Sequence, residues 1–519
     1  MKSTSTSLPV DKKSAAIIGA LSAALSLSTG ELAAGISPKL NSFVVSVGNL
    51  IIDFAPGTIV RASIETLGTA QKTVLLVGIT LGTLTAGALI GCLLRSNPKS
   101  ALIFFALLGC FGGWVSTRQD EIFIGWTWFT SVLAALIGFI YFLVSMKSFQ
   151  PIDIGFEDPK TTYASRRQFF AWTAGASIAA GTMTGTGRLL TRNNNFERAR
   201  SQISLPKQTT TTQAPTTTQA IELPNIDGLS SLLTPNDKFY RIDTALVVPV
   251  IDPDSWSVSI EGLVAKPYNL TYEDLLKMKV EEKIVTLCCV SNEVGGPLVG
   301  NAIWTGIPLR EILERAEPLP DAEQIMAWSV DGFSAGFPTK NVFDGRTALL
   351  AFGMNGEPLP FSHGFPARLV VSGLYGYVSA VKWLDRIELT SWNDKNGYWI
   401  PRGWSKEAPI KISSRIDVPK IRKLQSGLQP IAGVAWAPNS GVKQVEIAIN
   451  NERWEKCELN ETGSGESWVQ WLYRWNAHPG KYQIRVRATR NDGYIQPSST
   501  VAPAPDGAEG HHTVKVTIT

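Results

Sequence analysis

The segment Thr286-Leu287-Cys288-Cys289-Val290-Ser291-Asn292-Glu293-Val294-Gly295-Gly296 puts two thiols where an apolar run gives way to a glycine-bearing loop. A strand that ends in such a loop lets backbone come close to a ligand. A buried thiol is most often a small hydrophobe. Neighbouring residues of a strand face opposite ways, so Cys288 and Cys289 make a poor chelating pair and a poor disulfide. The chain carries no CxxC, CxxCH, HExxH or GxSxG pattern, which leaves haem attachment, zincin and nucleophile-elbow chemistry without support.

The elements that position these thiols read as α+β. Ser255 to Gly262 alternates as a strand, Thr271 opens a capped helix (TYEDLLKM), and Leu309 to Ala316 has apolar residues at helical spacing. Leu369 to Val371 and Ala380 to Leu384 read as core strands, with no regular βαβ alternation. From Arg415 onward the pattern is strands alone. Val445, Ile447 and Ile449 alternate before an Asn450-Asn451 turn, Tyr482 to Ala488 alternate again, and Val514, Val516 and Ile518 close the chain. Repeated short strands with turn signals predict an all-β immunoglobulin-like sandwich, without the Cys…Trp…Cys spacing of antibody domains.

Composition partitions the chain. Its 519 residues carry 48 Lys plus Arg against 44 Asp plus Glu, a net charge of +4, and no basic stripe interleaved with aromatics, so nucleic acid is not an expected partner. A mean hydropathy of +0.05 excludes wholesale disorder, and five cysteines in this length exclude a disulfide scaffold. Residues 1–190 read as a membrane region with about five spans: Ala15 to Gly35, Thr73 to Leu94, Ala101 to Val115, Ile122 to Val144 and Phe169 to Met183. Phe43 to Val60, interrupted by Asp53 and Pro56-Gly57, reads as a non-spanning surface segment. Arg95, Lys99, Lys147, Lys160, Arg166 and Arg167 then fall in inner loops, and everything after residue 190 falls outside the cytoplasm. Ser165-Arg166-Arg167-Gln168-Phe169-Phe170 reads either as a positive-inside flank or as a twin-arginine export signal for a folded cargo. The four histidines all lie later in the chain, at His363, His478, His511 and His512, so these helices cannot ligate a bis-histidine haem; they read as an anchor. Residues 191–232, with TTTTQAPTTTQA, read as a flexible tether.

The motifs beyond the thiols carry a resemblance. Thr286 to Leu309 shows T-L-x-C-x-x-N, a glycine loop and W-x-G-x-P-L. Met354-Asn355-Gly356-Glu357-Pro358-Leu359-Pro360 runs on to His363-Gly364-Phe365-Pro366-Ala367-Arg368 and to Ser379-Ala380-Val381-Lys382-Trp383-Leu384. Residues 236–519 thus resemble the sulfite oxidase-like molybdopterin oxidoreductases. The resemblance implies a multi-domain chain: the helical membrane region, an α+β sulfite oxidase-like molybdopterin domain over 233–414, and an Ig-like dimerisation domain over 415–519. It implies a molybdenum-molybdopterin cofactor with Cys289 as the protein's ligand to molybdenum. Tyr240 and Arg241 would line the pterin, and His363, Arg368, Ser379 and Lys382 would form the anion-binding set around the pyranopterin and its phosphate.

The sequence departs from that pattern on the substrate side. Glu293 and Val294 stand where sulfite oxidases carry an arginine, Asp243 stands for a histidine, and Trp404 stands near an expected tyrosine. The expected function is therefore oxygen-atom transfer on a small molecule, either oxidation of a sulfur compound or reduction of a sulfoxide-type oxide. Electrons would pass to or from an unidentified partner, with a homodimer through the C-terminal domain and the catalytic part on the extracytoplasmic side of the cell membrane. The competing reading is a non-catalytic, membrane-tethered extracellular binding module.

Overall fold

The computed structural model describes residues 9–149 apart from 38–39, 41, 57–58, 60–61, 64–65, 68–69 and 118–123, then 166–192, 200–206, and 226–519 apart from 422, 451–452 and 461–463. The chain forms two compact units, Met1–Asn195 and Phe196–Thr519.

Apolar runs without a long-range partner fold as helices because each backbone group is then satisfied locally. The first unit contains helices Lys12–Ile36, Gln71–Leu94, Ala101–Thr117 (entered by the 3₁₀ turn Pro98–Ser100) and Ile124–Ser148, and these four are long and apolar enough to cross a membrane. The fifth expected span is a continuous helix, Arg166–Arg192, but Ala, Gly and Thr replace large apolar residues and it falls outside that set. Arg166 and Arg167 occupy its first turn, while Ser165 and the expected inner loop bearing Lys160 lie outside the described residues. Phe43–Phe54 is a helix of 12 residues, capped by Ser42. Its length of about 18 Å is too short to span. The helices meet through small residues: Gly19 against Gly87 and Gly91, and Gly35 against Gly187, each so close that a Cβ would strike the facing backbone.

In the second unit, one five-stranded sheet runs in the order Tyr268–Thr271, Ser257–Gly262, Leu384–Thr390, Gln324–Ser329, Ser334–Pro338. Another runs Glu281–Cys288, Val299–Pro308, Ala348–Met354, Glu357–Pro358, with Arg368–Val371 pairing on Ala348–Met354. Helix Tyr272–Lys277 starts with a reciprocal Thr271–Asp274 capping box, and helix Leu309–Ala316 buries Leu309, Ile312, Leu313 and Ala316. The expectation of a strand over Ala380 to Leu384 is wrong. Gly376–Ser379 is a helical turn, Trp383 sits at φ +50°, and the strand begins only at Leu384. An apolar run alone does not reveal that backbone reversal.

Beyond residue 412 two sheets share one core. Their orders are Ser413–Val418, Gly427–Trp436, Val469–Ala477, Glu458–Asn460, and Lys423–Leu424, Thr513–Ile518, Gly480–Arg490, Val442–Ile449, Glu455–Lys456. The period-two alternation of Tyr482–Ala488 buries Ile484, Val486 and Ala488 in that core. The tract TTTTQAPTTTQA lies outside the described residues. Around it the chain is packed: Ile203 and Leu205 lie against the larger core, and Ile226 and Leu229 against Val418, Ala432 and Leu472.

Candidate functional site

Cys289 follows directly on the last residue of strand Glu281–Cys288 and is buried. Its N–H donates to the Leu298 carbonyl at 2.9 Å, and its own carbonyl accepts from Asn292 N–H at 3.0 Å. The Asn292 side chain closes the loop by accepting the Leu298 N–H at 2.7 Å. The eight residues between Cys289 and Leu298 are thereby pinned at both ends. Burial pushes the Cys289 thiol up, and hydrogen bonds from Ser291 act against that rise. Cys288 points its Sγ back to the Cys289 carbonyl at 3.4 Å and sits in the core, as the alternation of a strand demands. Its thiol is raised well above the ordinary value by burial and by Cys289.

Tyr240 stacks on Phe239 at 5.2 Å, and Phe239 also meets His363 edge-on at 5.6 Å. Burial lifts the Tyr240 phenol well above its usual range. Cys289 and Cys288 add to the rise and Arg368 opposes it. His363 is buried, and its Nε2 lies 2.9 Å from the Asn236 carbonyl, which can only accept. Nε2 therefore carries the proton and Nδ1 is the acceptor. Burial, then the charges of Arg368 and Lys382, bring His363 down to about 4, so it is neutral at physiological pH.

Arg368 is buried at 4% exposure and donates to backbone carbonyls: Nη1 to His363 at 3.1 Å, Nε to Leu369 at 3.3 Å, Nη2 to Ala380 at 3.5 Å. Its guanidinium lies 5.0 Å from the centre of the Trp304 ring. Among the described residues no carboxylate pairs with it, and burial lowers it to about 10. A buried cation held only by carbonyl oxygens is costly unless an anion completes it. Gly364 at φ +110° brings its neighbours together, for a Cβ there would touch both Arg368 Cβ and Lys382 Cβ at about 3.0–3.1 Å.

Lys382 is buried and donates to Asp243 Oδ2 at 3.0 Å and to the Ser362 carbonyl at 3.1 Å. Arg241 donates to the same Asp243 oxygen from Nε at 2.8 Å, its own side chain remaining 41% exposed. Burial lowers Lys382 to about 8, with Asp243 holding it up. Ser379 is fully buried, and its hydroxyl is spent on the Tyr375 carbonyl at 3.1 Å and the Leu374 carbonyl at 3.4 Å. The structure thus brings Tyr240, Cys289, His363, Arg368, Lys382 and Arg241 together, and turns Ser379 inward on its own helical turn.

Sequence reasoning missed Asn236, which fixes the His363 tautomer, and the ion pairs made by Asp243. Neither has a local signal, since Asp243 and Lys382 are 139 positions apart. Glu293 is exposed on the loop. Trp404 is half-buried against Tyr377 at 5.7 Å and Trp399 at 6.4 Å. Among the described residues no cluster of three or more His, Cys, Asp or Glu could hold a metal ion.

Comparison with known proteins gives this arrangement a context. Residues 245–399 match the family described as oxidoreductase molybdopterin binding domain. The chain is 28% identical over 323 residues to mitochondrial sulfite oxidase of Rattus norvegicus, covering 53% of this chain and 58% of that protein. It is 32% identical over 187 residues to the protein-methionine-sulfoxide reductase catalytic subunit MsrP of Ralstonia nicotianae, covering 31% of this chain and 55% of that one. The chain therefore spans little more than half the length of either relative. Among solved structures, the sulfane dehydrogenase SoxCD of Paracoccus pantotrophus aligns with a TM-score of 0.49 and 23% identity, over 58% of this chain and 87% of that one.

Proposed function

From the premise that residues 245–399 are a molybdopterin-binding domain and that the chain belongs to the sulfite oxidase-like molybdenum-dependent oxidoreductases, we propose that this protein transfers oxygen atoms to or from a sulfur compound. The observation that carries the reading is the buried Cys289 thiol, which influences the buried Tyr240 phenol, together with Arg368, a buried cation whose hydrogen bonds go to carbonyl oxygens.

The residues present fit a molybdenum-molybdopterin cofactor. A single buried thiol suits a metal whose remaining ligands come from the pterin and from oxygen, and the cations suit an anionic group with a phosphate. When bound, the cofactor supplies two-electron redox chemistry coupled to oxygen-atom transfer. Cys289 would hold the metal as its thiolate, losing the proton that burial otherwise favours on the thiol. Arg368 presents a fixed fork to an anion, and Arg241 and Lys382 add two charges already steered by Asp243. His363 stays neutral, and its Nδ1 would be available as an acceptor toward the cofactor. Tyr240 remains a protonated phenol, able to donate. Ser379 would have to release its bond to Tyr375 before donating to a ligand.

In this reading the four apolar helices and Arg166–Arg192 anchor the chain, with the second unit on the extracytoplasmic side, and the twin arginine serves export of the folded, cofactor-loaded unit. The sheets beyond residue 412 form an immunoglobulin-like sandwich through which two copies associate, and electrons pass to or from a separate protein. The relatives' printed names, a sulfite oxidase and a methionine-sulfoxide reductase, support a sulfur-centred substrate in either direction of transfer. The alternative, a non-catalytic binding module, leaves the buried charge of Arg368 without a counter-anion among the described residues.

The test uses the full chain purified from a host that makes the cofactor. Metal analysis is expected to find molybdenum, and assays with sulfite and with a sulfoxide to find turnover of one of them that Cys289→Ala abolishes. A molybdenum-free wild type, or a Cys289→Ala variant with intact turnover, overturns the reading.

A further inference from the structure

The loop that carries Cys289 is fastened to a part of the chain more than a hundred residues away. Arg415, on strand Ser413–Val418 of the C-terminal sheets, donates from Nη1 to the Gly296 carbonyl at 2.9 Å. The same guanidinium donates from Nε to Asp417 Oδ1 at 2.7 Å and from Nη2 to Ser230 Oγ at 2.8 Å. The Arg415 and Asp417 side chains are 11% and 8% exposed, so all three guanidinium nitrogens are committed in a largely dry site.

One residue earlier, Gly295 stands at φ +81° and faces the His512 ring so closely that a Cβ would fall into it. His512 is itself oriented, because its Nδ1 accepts the Ile416 N–H at 2.9 Å. Arg415 and Ile416 are consecutive residues, so one strand sets both the fork on Gly296 and the ring under Gly295. The loop between them and the thiol is stiff. Cys289 is bonded to Leu298 across its base, Asn292 bridges the Cys289 carbonyl and the Leu298 N–H, and Gly296 N–H closes on the Glu293 carbonyl at 2.8 Å. A shift at Gly295–Gly296 cannot be absorbed inside so short a hydrogen-bonded loop. It must be passed to Cys289.

We propose that Arg415 and His512 are positioning residues for the Cys289 thiol, so that the C-terminal sheets belong to the site and fix where the metal's protein ligand stands. The proposal rests on the reading of Cys289 as that ligand. A simple staple between two sheets would need neither a donor aimed at the loop's own carbonyl nor a ring that excludes a side chain from Gly295.

The experiment reads the loop and not turnover. The full chain, with Cys288→Ala, is produced in a host unable to make the cofactor, and the alkylation rate of Cys289 by N-ethylmaleimide is followed by mass spectrometry well below the melting temperature. Arg415→Gln is expected to raise that rate about fivefold or more, as loss of a charged hydrogen bond to the loop lowers the free energy of local opening. Arg415→Lys, which keeps a charged donor, should restore most of the protection. A rise of less than about fivefold in Arg415→Gln overturns the proposal. Should that variant fail to fold, His512→Asn, which keeps an acceptor for Ile416 N–H but removes the ring beneath Gly295, is read against the same threshold. Cofactor-free protein makes this outcome independent of metal binding. Failure of the ligand reading itself shows separately, as wild type without molybdenum.

Discussion

Asp243 holds Arg241 and Lys382 with one carboxylate oxygen, at 2.8 Å and 3.0 Å, in a pocket where its own side chain is 4% exposed. Two cations expected to meet an anionic cofactor are thus pre-oriented by an internal anion. Burial has brought Lys382 to about 8, below its ordinary value of 10.5. The native chain therefore releases this proton before the unfolded chain does. Between pH about 8 and 10.5 the unfolded state binds more protons, and stability attributable to Lys382 rises with pH. In cofactor-free protein, the melting temperature of wild type relative to Lys382→Met should increase across that window. Asp243→Asn, which removes the charge holding Lys382 up, should start the rise at lower pH.

His363 works in the acid range. With its native value at about 4 against 6.5, the unfolded chain takes the proton first as pH falls. Stability is full above 6.5 and is lost between 6.5 and 4, by up to about 3 kcal/mol. His363→Gln, whose amide can still donate to the Asn236 carbonyl, should flatten that limb in urea unfolding measured from pH 7 to 4.

How much of this was legible in the sequence depends on range. The strand before Cys289, the helix at Leu309–Ala316 and the capping box at Thr271 are written in local spacing, and they fold as read. Of the residues expected to line the cofactor, His363, Arg368 and Lys382 gather because short motifs carry them on neighbouring strands and turns, whereas Ser379 turns inward on its own helical turn. Their fastenings do not show in any window. Asp243 with Lys382, Asn236 with His363, and Arg415 with Gly296 are each separated by more than a hundred positions. Tertiary packing alone determines them. The strand expected over Ala380 to Leu384 fails for a related reason: Trp383 at φ +50° is a local conformation imposed from outside the segment.

Arg368 should tolerate no replacement. Arg368→Lys keeps a charge but not the planar fork, so the His363, Leu369 and Ala380 carbonyls lose donors. Stability should fall by about 2–3 kcal/mol in denaturant unfolding. Molybdenum content per chain should fall with it.

Topology has its own measurement. A phosphatase reporter fused at Thr210 should be active outside the cytoplasm, in keeping with an odd number of spans. Activity confined to a cytoplasmic reporter at the same site would reverse the orientation of the second unit.

The ligation of molybdenum by Cys289 is tested most directly by X-ray absorption at the molybdenum edge of the loaded full chain. The account predicts that Cys289→Ser loses one sulfur scatterer from the shell around the metal, while Cys288→Ser, whose thiol is turned into the core, leaves that shell unchanged. An unchanged sulfur shell in molybdenum-loaded Cys289→Ser would contradict it.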